Sequence, residues 1–333
     1  IRILLMEEHD EFKKQFKYYK ANKFPPSLDS VINILNEDKH YNKVNIANLN
    51  LEENNKTGIL GLIPTTKWQI YDFKTNPGLI YIKNPFTSLG QRFWIRKCLE
   101  YYTKKPNRTN IDIEMDLHDW WKECYKNGVC DSKLQRKMRW TTLGYHHNWD
   151  TKVYSESNKD QFPLELSELC DVVADTLGYK FFIPQAAIVN YYHMDSTLSA
   201  HTDHSEINLE APLLSFSFGQ SAIFLIGGTS KSVKPTAIML NSGDIVIMSK
   251  EARLCYHAIP KILPAIQTPW TYDCTSINEN QCNLKYIENG NKVQIEMNEN
   301  VDDKSWNKFN EYVNKSRINI NVRQVLNDGF NSL

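Results

Sequence analysis

The sequence has no apolar run that approaches the roughly 18 uncharged residues of a membrane span, so we expect neither a membrane segment nor a membrane partner. It also has no net charge, because its 39 Lys and Arg residues balance its 39 Asp and Glu residues. Global charge therefore does not indicate a nucleic-acid binder, and such a partner would need a local basic patch. The composition is that of a globular protein with one large domain and an extension, or with two modest domains.

The seven cysteines show no CxxC spacing, which argues against a structural zinc site. Cys124 and Cys130 are six positions apart, a poor spacing for zinc ligands. An odd and scattered set of cysteines also indicates a reducing compartment rather than a disulfide framework.

The first 139 residues carry mainly helical patterns. Phe12, Phe16 and Tyr19 fall on one helical stripe, and Pro25 and Pro26 break the helix that carries it. The expected elements are helices within residues 7–40, a polar loop at 48–56, a strand at 79–82, a helix at 90–103 and a helical segment at 113–138.

From Trp140 onward, short strand signals recur at close spacing and glycines punctuate them. We expect strands at residues 186–192, 213–218, 222–226, 236–240, 245–248 and 317–322. Many short antiparallel strands with glycine turns favour a sandwich or jelly roll. The stretch 275–300 is rich in Asn, Glu and Lys and is expected to be an exposed insertion.

His201 and Asp203 stand two positions apart, and His257 follows far along the chain. Two neutral imidazoles and one carboxylate can bind a non-haem Fe(II) on one side and leave other positions open for a cosubstrate and O₂. The alternatives are a surface turn for the His201 pair and, for His257, a buried histidine that a backbone carbonyl satisfies.

Near the C-terminus polar and apolar residues alternate strictly, which puts Arg317, Asn319, Asn321 and Arg323 on one face of a strand. Two guanidinium groups suit a dicarboxylate such as 2-oxoglutarate. We expect one of them to bind the distal carboxylate and the other to lie near the metal-ligand carboxylate. The alternative is the basic outer face of an edge strand.

Asn190 and Tyr192 share one face of the strand at 186–192, from which they could hydrogen-bond a bound acid. The alternative for Asn190 is a satisfied core amide, and for Tyr192 ordinary core packing.

Lys133, Arg136, Lys137 and Arg139 directly precede Trp140. Such cations can bind phosphates while the ring stacks on a base, and a solvated helix face is the alternative. A second basic stretch, with the same alternative, contains Arg96, Lys97, Lys104, Lys105 and Arg108.

Several blocks together resemble the AlkB family of Fe(II)- and 2-oxoglutarate-dependent nucleic-acid dioxygenases, and they occur in that family's order. The resemblance covers residues 140–326, and residues 68–71 and 84–86 extend it toward the N-terminus. The blocks are residues 140–145, 190–192, 201–203, 212–219, 242–244, 253–257 and 317–323.

The resemblance implies an α+β fold with a double-stranded β-helix (jelly-roll) core, an N-terminal helical extension and flanking helices. It divides the chain into an extension at 1–85, a supporting helical segment at 86–139 and a dioxygenase domain at 140–333. His201, Asp203 and His257 would be the iron ligands. The implied 2-oxoglutarate site consists of Asn190, Tyr192, Arg317, Asn319 and Arg323.

By the same resemblance, Trp140 and Tyr145 belong to a lid over the nucleotide. The family's bacterial member has a carboxylate two positions after the ligand Asp that helps to read the base, whereas this sequence has Ser205 there and Glu206 next. We count both among the predicted substrate contacts, and the choice of base stays open.

The implied activity is oxidative demethylation of bases, such as N6-methyladenine in DNA and N1-methyladenine or 5-methylcytosine in tRNA. It uses Fe(II), 2-oxoglutarate and O₂, and it favours bases that are unpaired or flipped out of the stack. The alternatives are a protein-modifying oxygenase, for example a histone demethylase, and a binding module with a decayed site. The protein is expected to be a monomer in the nucleus, the mitochondrion or both.

Overall fold

The computed structural model describes residues 10–39, 43–47, 49–278 and 283–333. Seven α-helices occur in these ranges, and none of them is long and apolar enough to span a membrane. They are α1 (Glu11–Lys20), α2 (Ser88–Arg96), α3 (Trp120–Cys124), α4 (Ser132–Lys137), α5 (Leu164–Thr176), α6 (Gly290–Asn298) and α7 (Asp303–Val313).

The same residues form thirteen strands. They are β1 (Val44–Ile46), β2 (Gln69–Phe73), β3 (Leu79–Lys83), β4 (Arg108–Thr109), β5 (Trp140–Gly144), β6 (Ala186–His193), β7 (Leu198–His201), β8 (Leu213–Gly219), β9 (Ser221–Ile226), β10 (Thr236–Leu240), β11 (Ile245–Met248), β12 (His257–Leu263) and β13 (Ser316–Arg323).

The strands form two antiparallel sheets. The large sheet has nine strands in the order β1-β2-β3-β11-β8-β13-β6-β5-β4, and the small sheet has the order β10-β9-β12-β7. Gly219 lets the chain pass from β8 in one sheet to β9 in the other. It has a left-handed φ of +79°, and a Cβ there would lie 2.5 Å from the carbonyl oxygen of Ser316, so a side chain would be strained and crowded.

Three apolar layers hold these elements together. Helices α2, α3, α5, α6 and α7 pack on one face of the large sheet, the two sheets share a second core, and α1 covers the small sheet. Along β13, Ile318, Ile320 and Val322 point into the helix-side core. Because side chains alternate along a strand, the intervening polar residues of β13 face the small sheet.

The predicted strands are confirmed with small differences in their ends, as is the strand at 79–82. The predicted stripe of α1 is also confirmed: Phe12 and Tyr19 are buried on the small sheet, with Phe16 partly buried beside them. The alternative of an edge strand for 317–322 is wrong, because β13 lies between β8 and β6. The predicted helix at 90–103 begins at Ser88 and passes into a π-helical turn at Lys97–Tyr101.

Three helical or insertion predictions need correction. Between residues 10 and 39 only α1 is α-helical, with a short 3-10 helix at Ile34–Lys39, and residues 7–9 and 40 lie outside the described ranges. The segment 113–138 forms two short helices, which Asp119 and Asp131 begin as N-caps. The stretch 275–300 is only partly exposed, because Val293 and Met297 of α6 are buried in the helix-side core.

Strands β1 to β3 come from the part of the chain predicted as an N-terminal extension, and β3 pairs directly with β11 of the large sheet.

Candidate functional site

His201, Asp203 and His257 converge at one end of the space between the sheets. His201 ends β7, His257 begins β12, and the two residues are register partners with ring centroids 4.3 Å apart. Asp203 follows β7 by two residues. One ligand atom from each of the three side chains lies within 4.8 Å of the others, a spacing at which all three can reach a single metal ion.

The backbone sets the orientation of both imidazoles. Nδ1 of His201 lies 2.9 Å from the carbonyl oxygen of Ser199, and Nδ1 of His257 lies 3.1 Å from that of Cys255. A carbonyl oxygen only accepts hydrogen bonds, so each Nδ1 donates its proton there and each Nε2 keeps a lone pair for a metal. Burial, helped by His257, lowers the pKa of His201 to about 4.

The carboxylate of Asp203 is held in its ionised form. Nη2 of Arg323 lies 3.0 Å from its Oδ1, and Nε2 of His257 lies 3.6 Å from its Oδ2. Burial by itself raises the pKa of Asp203, but the guanidinium of Arg323 holds it well below its usual range. Two neutral imidazoles and one carboxylate make the donor set that non-haem Fe(II) sites use, so these residues fit that ion.

Arg317 lines the same cavity as His201 and His257, and only 1% of its surface is exposed. Its Nη2 donates to Ser217 Oγ at 2.8 Å and its Nη1 to the Gln220 carbonyl oxygen at 3.3 Å. Its Nε has no hydrogen-bond partner, and Arg317 forms no ion pair with a described residue. Burial lowers the pKa of Arg317 to about 10, so the side chain is still a cation at neutral pH.

We call this cavity the carboxylate pocket. A buried cation without an anionic partner is costly, and its cost falls if the pocket receives an anion. The pocket has polar side chains from both sheets, and apolar residues close its sides. Its polar and ionisable lining residues are Tyr192, His201, Ser215, His257, Arg317, Asn319 and Asn321.

The structure separates the two arginines of β13. Arg317 lines the carboxylate pocket, whereas Arg323 binds Asp203. Asn319 lines the pocket, where its Nδ2 donates to Ser215 Oγ at 2.9 Å. Asn190 is the register partner of Asn319 but is not among the side chains that line the pocket.

An aromatic cluster is formed by Trp140, His147, Trp149 and Tyr154. The ring centroids of Trp140 and Trp149 are 5.1 Å apart, those of Trp149 and His147 are 4.7 Å apart, and those of His147 and Tyr154 are 5.5 Å apart. His147 Nε2 is 3.0 Å from Ser205 Oγ, which places Ser205 beside the cluster. Trp149 is 48% exposed.

Trp140 was predicted from the sequence, whereas the other three members of this cluster were not. These three residues lie in or just after residues 143–150. The signal in the sequence that could have indicated them is Trp149, which closely follows His146 and His147.

Tyr145 and Glu206 were predicted to contact substrate, and the structure places both side chains inside the protein. The Tyr145 hydroxyl binds Glu156 and accepts from Lys159 Nζ at 3.0 Å. Glu206 is 5% exposed and forms ion pairs with Arg253 and Arg323 at 3.0 and 3.1 Å.

The basic residues before Trp140 are exposed on and after α4. Arg136 pairs with Asp195 at 2.8 Å and Lys137 with Glu114 at 2.9 Å, and Arg139 is exposed. The second basic stretch is not one surface: Arg96 pairs with Glu299 and Lys97 with Glu296 within the helical layer, while Arg108 is exposed.

A two-sheet antiparallel core with a His-Asp-His centre and a buried arginine beside it defines the class of metal-dependent oxygenases that use a 2-oxo acid. The chain belongs to the 2OG-Fe(II) oxygenase superfamily, whose family model matches residues 78–323, and within it to the AlkB family. The superfamily uses Fe(II) as its metal and 2-oxoglutarate as its cosubstrate.

Three curated relatives span most of the chain. The sequence is 37% identical to the nucleic acid dioxygenase ALKBH1 of Homo sapiens, over 95% of this chain and 84% of that protein. It is 32% identical to the tRNA demethylase abh1 of Schizosaccharomyces pombe, over 78% of this chain and 82% of that protein. It is 31% identical to the DNA N(6)-methyladenine demethylase ALKBH1A of Arabidopsis thaliana, over 77% of each.

Proposed function

We propose that this protein is an Fe(II)- and 2-oxoglutarate-dependent dioxygenase that removes methyl groups from nucleic-acid bases. The observation that carries the proposal is the set of His201, Asp203 and His257 with the buried, unpaired Arg317 in the adjoining pocket. The names of the curated relatives supply the substrate class, since they act as nucleic acid dioxygenase, tRNA demethylase and DNA N(6)-methyladenine demethylase.

Each side chain has a proposed task. His201, Asp203 and His257 hold the iron, and Arg323 keeps the Asp203 carboxylate ionised and oriented. Arg317 binds the distal carboxylate of 2-oxoglutarate through its guanidinium group, and Tyr192 and Asn319 line the same pocket. When bound, the iron couples the oxidative decarboxylation of 2-oxoglutarate to hydroxylation of a methyl group by O₂.

The product depends on the atom that carries the methyl group. A hydroxylated N-methyl group leaves as formaldehyde, whereas a methyl group on carbon stays in place as an oxidised group. N6-methyladenine in DNA and N1-methyladenine in tRNA belong to the first case, and 5-methylcytosine to the second.

The aromatic cluster is proposed to receive the target base. A base inside a duplex cannot reach the metal centre, so it must be flipped out or already unpaired. Trp140 and the half-exposed Trp149 offer stacking surfaces beside the metal, and Ser205 offers a hydroxyl group. The exposed cations Arg136, Lys137 and Arg139 would contact the phosphate backbone nearby.

Several further assignments are part of this proposal. We propose that the two sheets are the double-stranded β-helix of the superfamily, and that residues 140–333 form its dioxygenase domain, after an extension at 1–85 and a supporting segment at 86–139. Tyr145 and Asn190 would not line the pocket. They would instead support two neighbouring residues, Tyr154 and Trp140. We propose a monomer that works in the nucleus, the mitochondrion or both.

The test is mass spectrometry of nucleosides after incubation with methylated DNA and tRNA, with Fe(II) and 2-oxoglutarate present or withheld. We expect loss of methylated bases only when both are present, with bulges and loops favoured over a perfect duplex. His201→Ala should abolish 2-oxoglutarate turnover, and unchanged turnover in that variant would refute the proposal. Turnover with histone peptides but not with oligonucleotides would support a protein-modifying oxygenase instead.

A further inference from the structure

Four charged side chains form a buried ion cluster that includes one proposed metal ligand, Asp203, together with Glu206, Arg253 and Arg323. Glu206 lies between the two arginines, with Arg253 Nη2 at 3.0 Å from its Oε2 and Arg323 Nε at 3.1 Å from its Oε1. The cluster contains two anions and two cations, so its charges balance in a place where an unpaired charge would be costly.

Both arginines that bind Glu206 also bind Asp203. Arg323 Nη2 donates to Asp203 Oδ1 at 3.0 Å, and Arg253 Nη1 donates to the Asp203 carbonyl oxygen at 2.7 Å. One arginine therefore fixes the carboxylate of Asp203 and the other fixes its backbone. The arginines come from distant parts of the chain, the end of β13 and the 3-10 helix at Lys250–Leu254, and Glu206 is the group that they share.

The orientation of Asp203 matters because its two oxygens have different surroundings. Oδ1 faces Arg323, while Oδ2 lies 3.6 Å from Nε2 of His257, on the side where the ligand atoms meet. Without the negative charge of Glu206, the guanidinium of Arg323 would have Asp203 as its only anionic partner and would compete more strongly with a metal ion for that carboxylate. The local charge would also become more positive, which disfavours a divalent cation.

We propose that Glu206 is a positioning residue of the metal centre. By holding Arg253 and Arg323 it keeps the Asp203 carboxylate directed at the metal, and it does so without touching metal or substrate. Tyr154 donates to Glu206 Oε1 at 3.2 Å, so the same carboxylate ties the ion cluster to the aromatic cluster. This inference deepens the proposed function and rests on its metal centre.

The experiment measures the affinity of the apoprotein for Mn(II) by electron paramagnetic resonance of the unbound ion, without 2-oxoglutarate or substrate. The variant is Glu206→Gln, which keeps the shape and removes the charge. The matched control is Glu168→Gln on α5, because Glu168 is equally buried and is paired with Lys56 at 3.5 Å on the helix-covered side of the large sheet. Thermal unfolding of each apoprotein reports the structural cost of each change.

We expect Glu206→Gln to weaken Mn(II) binding about tenfold, the scale seen when groups that orient metal ligands are removed. Glu168→Gln should lower the melting temperature without changing Mn(II) affinity. Wild-type affinity in Glu206→Gln, or an equal loss in Glu168→Gln, would overturn the inference.

If Glu206→Gln does not fold, Glu206→Asp tests the same role through distance instead of charge, because the carboxylate is withdrawn by one methylene from Arg253 and Arg323. We expect severalfold weaker Mn(II) binding in Glu206→Asp, and wild-type affinity there would overturn the inference. A wild-type protein that binds no Mn(II) would refute the metal centre of the proposed function, whereas tight wild-type binding with an unaffected Glu206→Gln would refute only the role of Glu206.

Discussion

At the scale of single residues, Arg317 is the side chain whose energetics depend most on a ligand. It is fully buried, its Nε lacks a partner, and its charge is unpaired among the described residues. A buried charge that forms no ion pair leaves its desolvation cost largely uncompensated. Arg317 is therefore expected to lower the stability of the apoprotein and to raise its affinity for a dicarboxylate.

We predict that Arg317→Met weakens 2-oxoglutarate binding on the order of 100-fold, because the charged contacts to the distal carboxylate are lost. The free energy of unfolding of the apoprotein should not fall. Isothermal titration with 2-oxoglutarate and urea unfolding without ligand measure the two effects. The control is Arg317→Lys, which keeps the charge and loses the planar fork. A strongly destabilised Arg317→Met variant with normal 2-oxoglutarate affinity would contradict the assignment.

Trp149 supports a second prediction at this scale, because it is half exposed and packs against Trp140 and His147. Loss of a ring that stacks on a base costs about 1–3 kcal/mol. We predict that Trp149→Ala weakens binding of a bulged oligonucleotide about tenfold, while 2-oxoglutarate affinity stays unchanged, both measured by titration. Trp149→Phe should restore most of the oligonucleotide affinity. If Trp149→Ala binds the oligonucleotide normally, the cluster does not receive the base.

His201, Asp203 and His257 could be predicted as one site because imidazole and carboxylate groups are typical iron ligands, and the structure brings the three side chains together. Glu206 and Tyr145 were harder, since a position next to a motif does not tell which way a side chain points. The Tyr145 hydroxyl turns inward to Glu156 and Lys159 of the following loop, whereas Glu206 turns inward to Arg253 and Arg323 from distant segments. The sequence contains no local trace of such a pairing.

At the scale of secondary-structure elements, β13 was predicted well because strict alternation of polar and apolar residues has a period of two. The strands that carry the histidines were not predicted. β7 is only four residues long, and β12 contains Pro260, a residue that disfavours a strand. The register of β12 shifts between Ala258 and Lys261, and this irregularity accommodates the proline.

Helix α4 is the element on which the nucleic-acid prediction rests. Its cations Arg136 and Lys137 are exposed and have acidic partners, but exposed ion pairs contribute little free energy, so phosphates can replace Asp195 and Glu114. We predict that Arg136→Ala/Lys137→Ala weakens oligonucleotide binding and reduces the slope of log affinity against log salt by about two. Fluorescence anisotropy over a range of salt concentrations measures this slope.

The matched control for this helix is Lys292→Ala/Lys304→Ala. Both lysines are exposed, on α6 and α7, which pack on the helix-covered face of the large sheet, and the change in net charge is the same. We expect the salt slope of this control to equal that of the wild type. Equal slopes in the α4 variant and the wild type would show that α4 does not contact phosphates.

At the scale of the whole molecule, zero net charge conceals an uneven distribution. Some cations lie in the helical layer and form ion pairs there. Arg92 pairs with Asp303, Arg96 with Glu299 and Lys97 with Glu296. Composition alone could not separate these from the exposed cations of α4, because both kinds occur in similar basic stretches. The separation follows from the packing of distant helices, which the local sequence does not encode.

Buried histidines couple the stability of the whole fold to pH. His146 lies within 2.7 Å of Thr142 Oγ and 2.8 Å of Asp160 Oδ2, and burial lowers its pKa. Burial also lowers the pKa values of His147 and His193. In the unfolded chain each histidine titrates near pH 6.5. Below that pH the unfolded state therefore binds more protons than the folded state. The free energy of unfolding consequently decreases as the pH is lowered.

Asp244 changes the pH dependence of the free energy of unfolding in the opposite direction. Burial raises its pKa to about 6, above the value of about 3.9 in an unfolded chain, so below pH 6 the folded state takes up a proton and gains stability. With His201, four histidines have a lowered pKa, and together they outweigh one carboxyl group. We therefore predict that the apoprotein loses stability between pH 7 and pH 5.5, by about 1.4 kcal/mol per pH unit for each net proton taken up on unfolding.

Urea unfolding of the apoprotein at several pH values measures this slope. His146→Gln should make the slope shallower, because the side chain that stays neutral in the folded state is gone. A free energy of unfolding that rises as the pH falls from 7 to 5.5 would mean that Asp244 dominates and that the buried histidines take up their protons without unfolding.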